Sequence, residues 1–155
     1  MEIATIGYAS FYDADRRLII DAIKAVSEGY ILIDIRESAY GLVNYKELRN
    51  AIPSYHWVKE FGNPEKYENE FFKIPNQKFM EGIQRLKELI GRHNNDRVML
   101  MCAEKDVNKC HRLPASKLIR DYFEERGHII KINHLHSSNP PKPLRVQKTL
   151  IIKDL

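Results

Sequence analysis

Short apolar runs alternate with amphipathic helical patterns along the chain, and this alternation is what most limits the folds that the chain can adopt. The run at residues 30–35 (YILIDI) is almost entirely apolar, which is typical of a strand covered on both faces of its sheet. The segment before this run carries apolar residues at helical spacing, namely Leu18, Ile19, Ala22, Ile23 and Val26. Such alternation predicts a mostly parallel sheet with helices on both faces.

The predicted fold is a single α/β domain at residues 1–136, with a mostly parallel five-stranded sheet in a Rossmann-like three-layer arrangement. The predicted strands are residues 2–8, 30–35, 56–61, 98–101 and 128–133. The predicted helices are one capped by Asp13 or Asp15 and ending near Val26, one at 45–52, one starting at Asn76, and one at 113–126. Residues 64–75 are predicted to be a loop or lid. Residues 137–155 are predicted to be a linker and a C-terminal tail that packs on the same domain, with an edge strand at 146–152 as one possibility.

Composition is that of an ordinary globular protein, with 155 residues, 43% hydrophobic and 30% charged. No apolar run approaches the roughly 20 residues needed to span a bilayer, and the chain opens directly into a strand-like run, so a cytoplasmic location without a membrane is expected. The net charge of +4 is compatible with an anionic small molecule or a nucleic acid as partner, and equally with an inert basic surface. The oligomeric state is not determined by these features.

Two cysteines, a histidine and an arginine lie close together in the sequence where a predicted strand is followed by a predicted helix. The apolar run at 98–101 ends in Cys102, and after a polar loop Cys110, His111 and Arg112 open the next helix. In parallel α/β sheets, ligands bind at the carboxyl ends of strands. A helix N-terminus there presents free N–H groups and partial positive charge, which favours an anion. The sequence therefore predicts an anion site, for a phosphate-like group, at this junction.

Four further residues end the first two predicted strands and are expected at the same edge as predicted substrate-binding residues. They are Gly7, Tyr8, Asp34 and Arg36. Gly7 would let a ligand or another backbone approach closely. Alternation along a strand places the side chains of Asp34 and Arg36 on one face, where they can bind substrate or form a scaffold ion pair.

The chain resembles the domain-of-unknown-function family 488 (DUF488) over nearly its whole length. The residues that carry the resemblance are, in order, Thr5-Ile6-Gly7-Tyr8, Ile33-Asp34-Ile35-Arg36, Phe61-Gly62, Met101-Cys102-Ala103-Glu104 and Cys110-His111-Arg112, with His134 at the place of a histidine typical of the family. Two features depart from the pattern: residues 37–45 lack the Pro-x-Ser-Arg stretch, and the turn is Gly62-Asn63 rather than Gly-Gly. The resemblance implies membership and no activity, because the family itself is named for its unknown function.

The roles of the five predicted catalytic residues rest on their chemistry. Either Cys102 or Cys110 can be a thiolate nucleophile, or each can be a buried structural residue. His111 can be a general acid or base. Arg112 can bind an anion or pair with Glu104 or Asp34, and Glu104 can orient His111 or bind substrate. A metal bound by Cys102, Cys110, His111 and Glu104 is disfavoured, because the seven-residue gap between the cysteines is not a zinc knuckle, and no cofactor is expected.

Three functions remain open on this basis, so the sequence leaves undecided whether the protein is an enzyme. The first is a cysteine-dependent enzyme that is similar to rhodaneses and cysteine phosphatases, although ten residues separate Cys102 from Arg112, more than the compact cradle of those enzymes. The second is a module that binds a nucleotide or nucleic acid without covalent chemistry. A cluster of aromatics invites that interpretation through base stacking, or else forms a satellite core: Tyr40, Tyr67, Phe71 and Phe72. The third is a structural or partner-binding protein.

Overall fold

The structure is a computed structural model that describes residues 1–11, 16–62, 76–136 and 151–153. Its strands are β1 (Glu2–Gly7), β2 (Ile31–Asp34), β3 (Tyr55–Trp57), β4 (Arg97–Cys102), β5 (Lys131–His136) and β6 (Ile151–Lys153). Its α-helices are α1 (Arg16–Val26), α2 (Tyr45–Ala51), α3 (Asn76–His93) and α4 (Arg112–Glu124). Short 3₁₀ helices lie at Tyr8–Phe11, Lys59–Phe61 and Val107–Lys109. Within the described ranges, no helix combines the length and the apolar character that crossing a membrane requires.

Some predicted features lie outside the described residues. They are the caps Asp13 and Asp15, the loop or lid at 64–75 with Tyr67, Phe71 and Phe72, and the C-terminal segment apart from residues 151–153.

The six strands form one sheet in the order β3-β2-β4-β1-β5-β6. The first five in this order pair in parallel, and β6 pairs antiparallel with β5. The predicted mostly parallel α/β sheet is therefore confirmed. Three strand boundaries were wrong by more than one residue. Strand β3 stops at Trp57 rather than at 61, because a 3₁₀ helix begins soon after it, and β5 is Lys131–His136 rather than 128–133.

Helices cover both faces of the sheet, as predicted for three layers. Apolar residues of α1 and α2, such as Ile19 and Leu48, pack on one face. Residues of α3 and α4, such as Leu86 and Ile119, pack on the other. The connections from β1 to β2 and from β2 to β3 run towards the β3 edge, and those from β3 to β4 and from β4 to β5 run the other way. Because crossovers between parallel strands are right-handed, the two sets of connecting helices lie on opposite faces of the sheet.

This topology creates a switch point between β1 and β4. Strand β4 lies between β2 and β1, and the chain leaves β1 over one face and β4 over the other. The carboxyl ends of these two strands are level, since Gly7 is paired with Cys102. Crevices at such points are where open α/β sheets bind ligands.

A pair of histidines joins β3 to α3 at the edge of the sheet. The Nε2 atoms of His56 and His93 lie 2.8 Å apart. The pKa of His56 is lowered from 6.5 to about 4, first by burial and then by His93 and the guanidinium groups of Arg92, Arg85 and Arg49. This edge of the protein therefore carries a concentration of positive charge.

The lowered pKa of His56 predicts a loss of stability in acid. The unfolded chain binds a proton near pH 6.5 and the folded protein only near pH 4, so protonation favours unfolding as the pH falls through that window. Because His56 is only half-buried, solvent screening reduces the effect to about 1 kcal/mol. Urea unfolding of wild type and His56→Gln between pH 7 and pH 4 measures it. The two stability curves should converge as the pH falls, and parallel curves would contradict the prediction.

Candidate functional site

Four of the five predicted catalytic side chains meet at the junction between β4 and α4. Cys102 is the last residue of β4, and Arg112 is the first residue of α4. Cys110 and His111 immediately precede the helix. Cys102, Cys110 and Arg112 are buried, with exposed fractions of 5%, 6% and 0%, and His111 is half-buried. Ligand atoms of the two cysteines and His111 all lie within 4.8 Å of one another.

His111 is held by a backbone carbonyl in a way that defines its tautomer. Its Nε2 lies 2.7 Å from the carbonyl oxygen of Ile35, the residue that follows β2. Because a carbonyl only accepts, Nε2 carries the proton, and in the neutral ring Nδ1 has the free lone pair. Nδ1 lies 3.4 Å from Sγ of Cys102 and 4.0 Å from Sγ of Cys110. The imidazole is thus placed to take a proton from a thiol.

The two thiols have pKa values that are shifted in opposite directions. A hydrogen bond from Cys110 is the largest influence on Cys102 and lowers its pKa, which burial opposes. The backbone N–H groups of Ala103 and Glu104 and the charge of Arg112 lower it further. The pKa of Cys110 is raised, first by its hydrogen bond to Cys102 and then by burial. Cys102 is therefore the residue whose thiolate the surroundings stabilise, with Cys110 as its donor.

Arg112 faces inward and holds the loop that follows β4. Its Nη1 donates to the carbonyl oxygen of Glu104, and its Nη2 donates to that of Lys105 at 3.0 Å. The buried Nε has no hydrogen-bond partner among the described residues. The guanidinium thus positions the loop whose N–H groups point at Cys102, and it contacts Glu104 through the backbone. Glu104 is half-buried.

Gly7 makes room for this loop. A Cβ atom at Gly7 would overlap the carbonyl oxygen of Glu104 and come within 2.7 Å of Nη1 of Arg112. The close approach that the sequence predicted at this glycine is therefore made by a backbone segment, which brings the end of β1 against the loop after β4.

Tyr8, Asp34 and Arg36 lie at the same edge of the sheet but on its opposite face, towards α1 and α2. Nη2 and Nε of Arg36 donate to the carboxylate of Asp34 at 2.6 and 2.9 Å. Nη1 donates to the carbonyl oxygen of Val43 at 2.7 Å and to the hydroxyl of Tyr8 at 3.3 Å. The hydroxyl of Tyr55 donates to Asp34 at 2.7 Å. Asp34 and Arg36 thus form a buried, hydrogen-bonded ion pair, which corresponds to the scaffold alternative.

Two groups at this edge were not found from the sequence, the carbonyl of Ile35 and the indole of Trp57, whereas His134 had been named through the family resemblance. No feature of the sequence indicates that the Ile35 carbonyl accepts a hydrogen bond from His111, because this contact depends on β2 lying next to β4 in the sheet. Trp57 donates from Nε1 to the carbonyl oxygen of Arg36 at 2.8 Å. Trp57 lies inside the strand predicted at 56–61, and the strand pattern did not mark its indole as a hydrogen-bond donor. His134 is buried and lies 2.7 Å from Oγ1 of Thr5 through its Nδ1.

The cluster of Cys102, Cys110 and His111 also has the donor set of a soft metal ion. Thiolate sulfur and imidazole nitrogen are the ligands that zinc prefers. The separations of 3.4 and 4.0 Å between Nδ1 and the two sulfurs are close to those expected around a tetrahedral ion. The site can therefore support either proton transfer between a thiol and an imidazole or coordination of a metal.

Comparison with known proteins identifies a family. The family model described as "Domain of unknown function DUF488" matches residues 17–119. The matched segment runs from α1 to α4 and includes Cys102, Cys110, His111 and Arg112. No curated protein and no solved structure matches the chain.

Proposed function

The chain belongs to the DUF488 family, and from the arrangement of its site we propose that it is an enzyme in which Cys102 acts as a nucleophile on an anionic, phosphate-like substrate. One observation carries the proposal. Sγ of Cys102 lies 3.4 Å from the Nδ1 lone pair of His111, while Cys110, two backbone N–H groups and Arg112 all favour its charged form.

In the proposed reaction, His111 takes the proton of Cys102 on Nδ1 and leaves a thiolate. The sulfur forms a bond to the electrophilic atom of the substrate while the bond to the leaving group breaks. The leaving group departs with the bonding electrons and receives the proton from His111. Water then attacks the group on sulfur, gives its proton to His111, and releases Cys102 as thiolate. The net change is hydrolysis, with no oxidant or reductant required.

The preference for an anion is supported by the charges around the thiol site. Arg112 is fully buried, and no carboxylate of the described residues forms an ion pair with it. Among these residues its positive charge therefore has no counter-ion. The site also lies at the N-terminus of α4, where the helix dipole adds positive potential.

Alkylation by iodoacetamide as a function of pH tests the nucleophile. Wild type should be labelled at Cys102 with a midpoint below the pKa of about 8.5 of a free cysteine. Cys110→Ala removes the donor that lowers the pKa of Cys102, so labelling at neutral pH should slow about tenfold for each pKa unit regained. Mass spectrometry of the labelled peptides separates the two cysteines.

The Cys102→Ser variant is the matched control, since it keeps the shape of the site and a hydrogen-bond acceptor for Cys110, while burial continues to raise the pKa of Cys110. Labelling at neutral pH should then be lost. Equal labelling of both cysteines in wild type, with midpoints near that of a free thiol, would overturn the proposal. Thermal unfolding with phosphate, sulfate, thiosulfate and nucleotides checks the substrate class, because a ligand at 100 times its Kd adds about 2.7 kcal/mol.

A zinc ion on the same atoms is the second candidate, and one observation favours it. Histidines that bind metals usually donate their other N–H group to a carbonyl or carboxylate, as His111 does to Ile35. Metal analysis of the purified protein decides between the two. About one equivalent of zinc, with labelling of Cys102 blocked until a chelator is added, would replace the nucleophile proposal with a zinc site.

A further inference from the structure

Three aromatic rings form a partly exposed cluster beside β3, which we call the aromatic cluster: Tyr40, Tyr45 and Trp57. The rings of Tyr45 and Trp57 are tilted by 37° with centroids 5.2 Å apart. Tyr40 meets both edge-on, at 5.5 and 5.8 Å. Tyr40 is 62% exposed, and the neighbouring Leu42 is 54% exposed. Tyr45 and Trp57 are half-buried and pack against the core, so the cluster presents Tyr40 to solvent on a partly buried aromatic base.

The aromatic cluster borders the thiol site. Trp57 donates to the carbonyl oxygen of Arg36, and His111 donates to the carbonyl oxygen of Ile35, the preceding residue. The two residues that follow β2, Ile35 and Arg36, are therefore hydrogen-bonded through their carbonyl groups, one to the thiol site and the other to the aromatic cluster. A ligand bound at the cluster would therefore lie on the other side of this two-residue segment from His111.

Positive charge continues from the aromatic cluster along the β3 edge. The guanidinium of Arg49 lies over the ring of Tyr45 at 5.4 Å. Arg49, Arg85 and Arg92 all act on the pKa of His56, so they surround the outermost strand from α2 on one side and α3 on the other. Arg85 is paired with Glu60 at 2.8 Å. Arg49 and Arg92 are exposed, and neither forms an ion pair with a carboxylate of the described residues.

We propose that this edge binds single-stranded nucleic acid, with bases stacked on the aromatic cluster and backbone phosphates held by Arg49 and Arg92. Aromatic platforms interleaved with unpaired cations are how proteins bind single strands without reading sequence. A duplex keeps its bases stacked inside and offers none to Tyr40. The unpaired guanidinium groups favour a polyanion over an apolar protein surface. Binding at this edge does not depend on the chemistry proposed for Cys102.

The protein carries its own probe for this test, since Trp57 is the one tryptophan in the chain. Its fluorescence is titrated with an oligo(dT) of about 12 nucleotides, within the range that such surfaces cover. The same titration with the oligo(dT)·oligo(dA) duplex is the comparison. Saturable quenching by the single strand, with weaker binding of the duplex, is expected. Neutralising two phosphates should give a slope of log K against log salt near −1.4, that is, about −0.7 for each phosphate.

Two variants separate stacking from charge. Tyr40→Ala should weaken oligo(dT) binding about 5- to 150-fold, the loss expected for one stacked base. Arg49→Gln should reduce the salt slope by about 0.7. Arg126→Gln is the matched control, because Arg126 also lies over a tyrosine ring, that of Tyr122 at 3.5 Å, but near the C-terminal end of α4. It should leave both quantities unchanged.

Several outcomes would overturn the inference. They are the absence of saturable quenching, equal binding of duplex and single strand, and an Arg126→Gln variant that weakens binding as much as Arg49→Gln. Sedimentation showing dimers that Tyr40→Ala abolishes, without oligo(dT) binding, would instead assign the edge to contact between two copies. Labelling of Cys102 in Tyr40→Ala is measured in parallel and should match wild type, so failure here is distinguishable from failure of the proposed nucleophile.

Discussion

Replacing Asp34 with asparagine should lower the free energy of unfolding by about 3–5 kcal/mol. Arg36 is 5% exposed and makes two of its hydrogen bonds to the Asp34 carboxylate. Asparagine keeps the size of the side chain but leaves a buried guanidinium without its counter-charge. Tyr55 also loses a charged acceptor for its hydroxyl. Urea unfolding at pH 7 measures the change.

The matched control is Asp121→Asn, which breaks the contact between Arg120 and Asp121 at 3.1 Å on the surface of α4. Exposed pairs contribute between zero and about 1 kcal/mol, so this variant should unfold almost as wild type does. A double variant, Asp34→Leu with Arg36→Met, should recover most of the loss, because removing both charges leaves neither uncompensated. If Asp34→Asn cost no more than Asp121→Asn, the buried pair would not stabilise this edge.

The second large effect is expected at Gly7. Gly7→Ala places a methyl group on the carbonyl oxygen of Glu104 and against Nη1 of Arg112. The first contact is with backbone, which no side-chain rotation can relieve, and the second is with an arginine that is fully buried. The loop must move, and the hydrogen bonds from Arg112 to Glu104 and Lys105 are strained or lost. We expect a loss of about 2–4 kcal/mol, from overpacking together with buried carbonyls left unsatisfied. Thermal or urea unfolding measures it.

Gly7→Ala also tests the link from the loop to the thiol. If the N–H groups of Ala103 and Glu104 move, the pKa of Cys102 rises, and iodoacetamide labelling of the folded variant slows at neutral pH. Gly91→Ala is the control, since a Cβ in that position of α3 meets nothing within 4 Å. It should stabilise the protein by about 0.5–1 kcal/mol through helix propensity. Equal effects of the two substitutions would contradict the packing described at Gly7.

Elements with strong periodicity could be predicted from the sequence, and their order in the sheet could not. The apolar run that contains β2 and the amphipathic pattern of α3 both reflect which of their residues are buried. Such a pattern can be recognised within a single segment of the sequence. The insertion of β4 between β2 and β1 depends on contacts between distant segments. The predicted ends of β3 and β5 were wrong because apolar residues next to these strands lie outside the sheet. Ile129 is 91% exposed, and Phe61 is fully buried from a 3₁₀ helix rather than from a strand.

The candidate site was located from the sequence because its residues are close in the chain. Cys102 ends a strand, and the segment from Cys110 to Arg112 begins the helix that follows it. Because that helix packs on the sheet, its first residues lie close to the end of the strand. The sequence could not predict which way the arginine side chains point. Arg112 points inward to the loop carbonyls, although the sequence suggested an anion or a carboxylate as its partner. The ion pair of Arg36 with Asp34 was one of two alternatives, and its place on the opposite face of the sheet was not predicted.

The pairing of β1 has a consequence for how the protein is made. Contacts between β1 and its two neighbours span most of the chain: 95 residues from Glu2 to Arg97 of β4, and 129 from Thr5 to His134 of β5. Of the six strands that the structure describes, β1 comes first in the chain, so it has no partner in the sheet until β4 is synthesised and gains its second only with β5. Topologies with such distant pairings fold slowly. An apolar strand therefore stays unpaired while most of this domain is made, and unpaired strands of this kind are prone to aggregate.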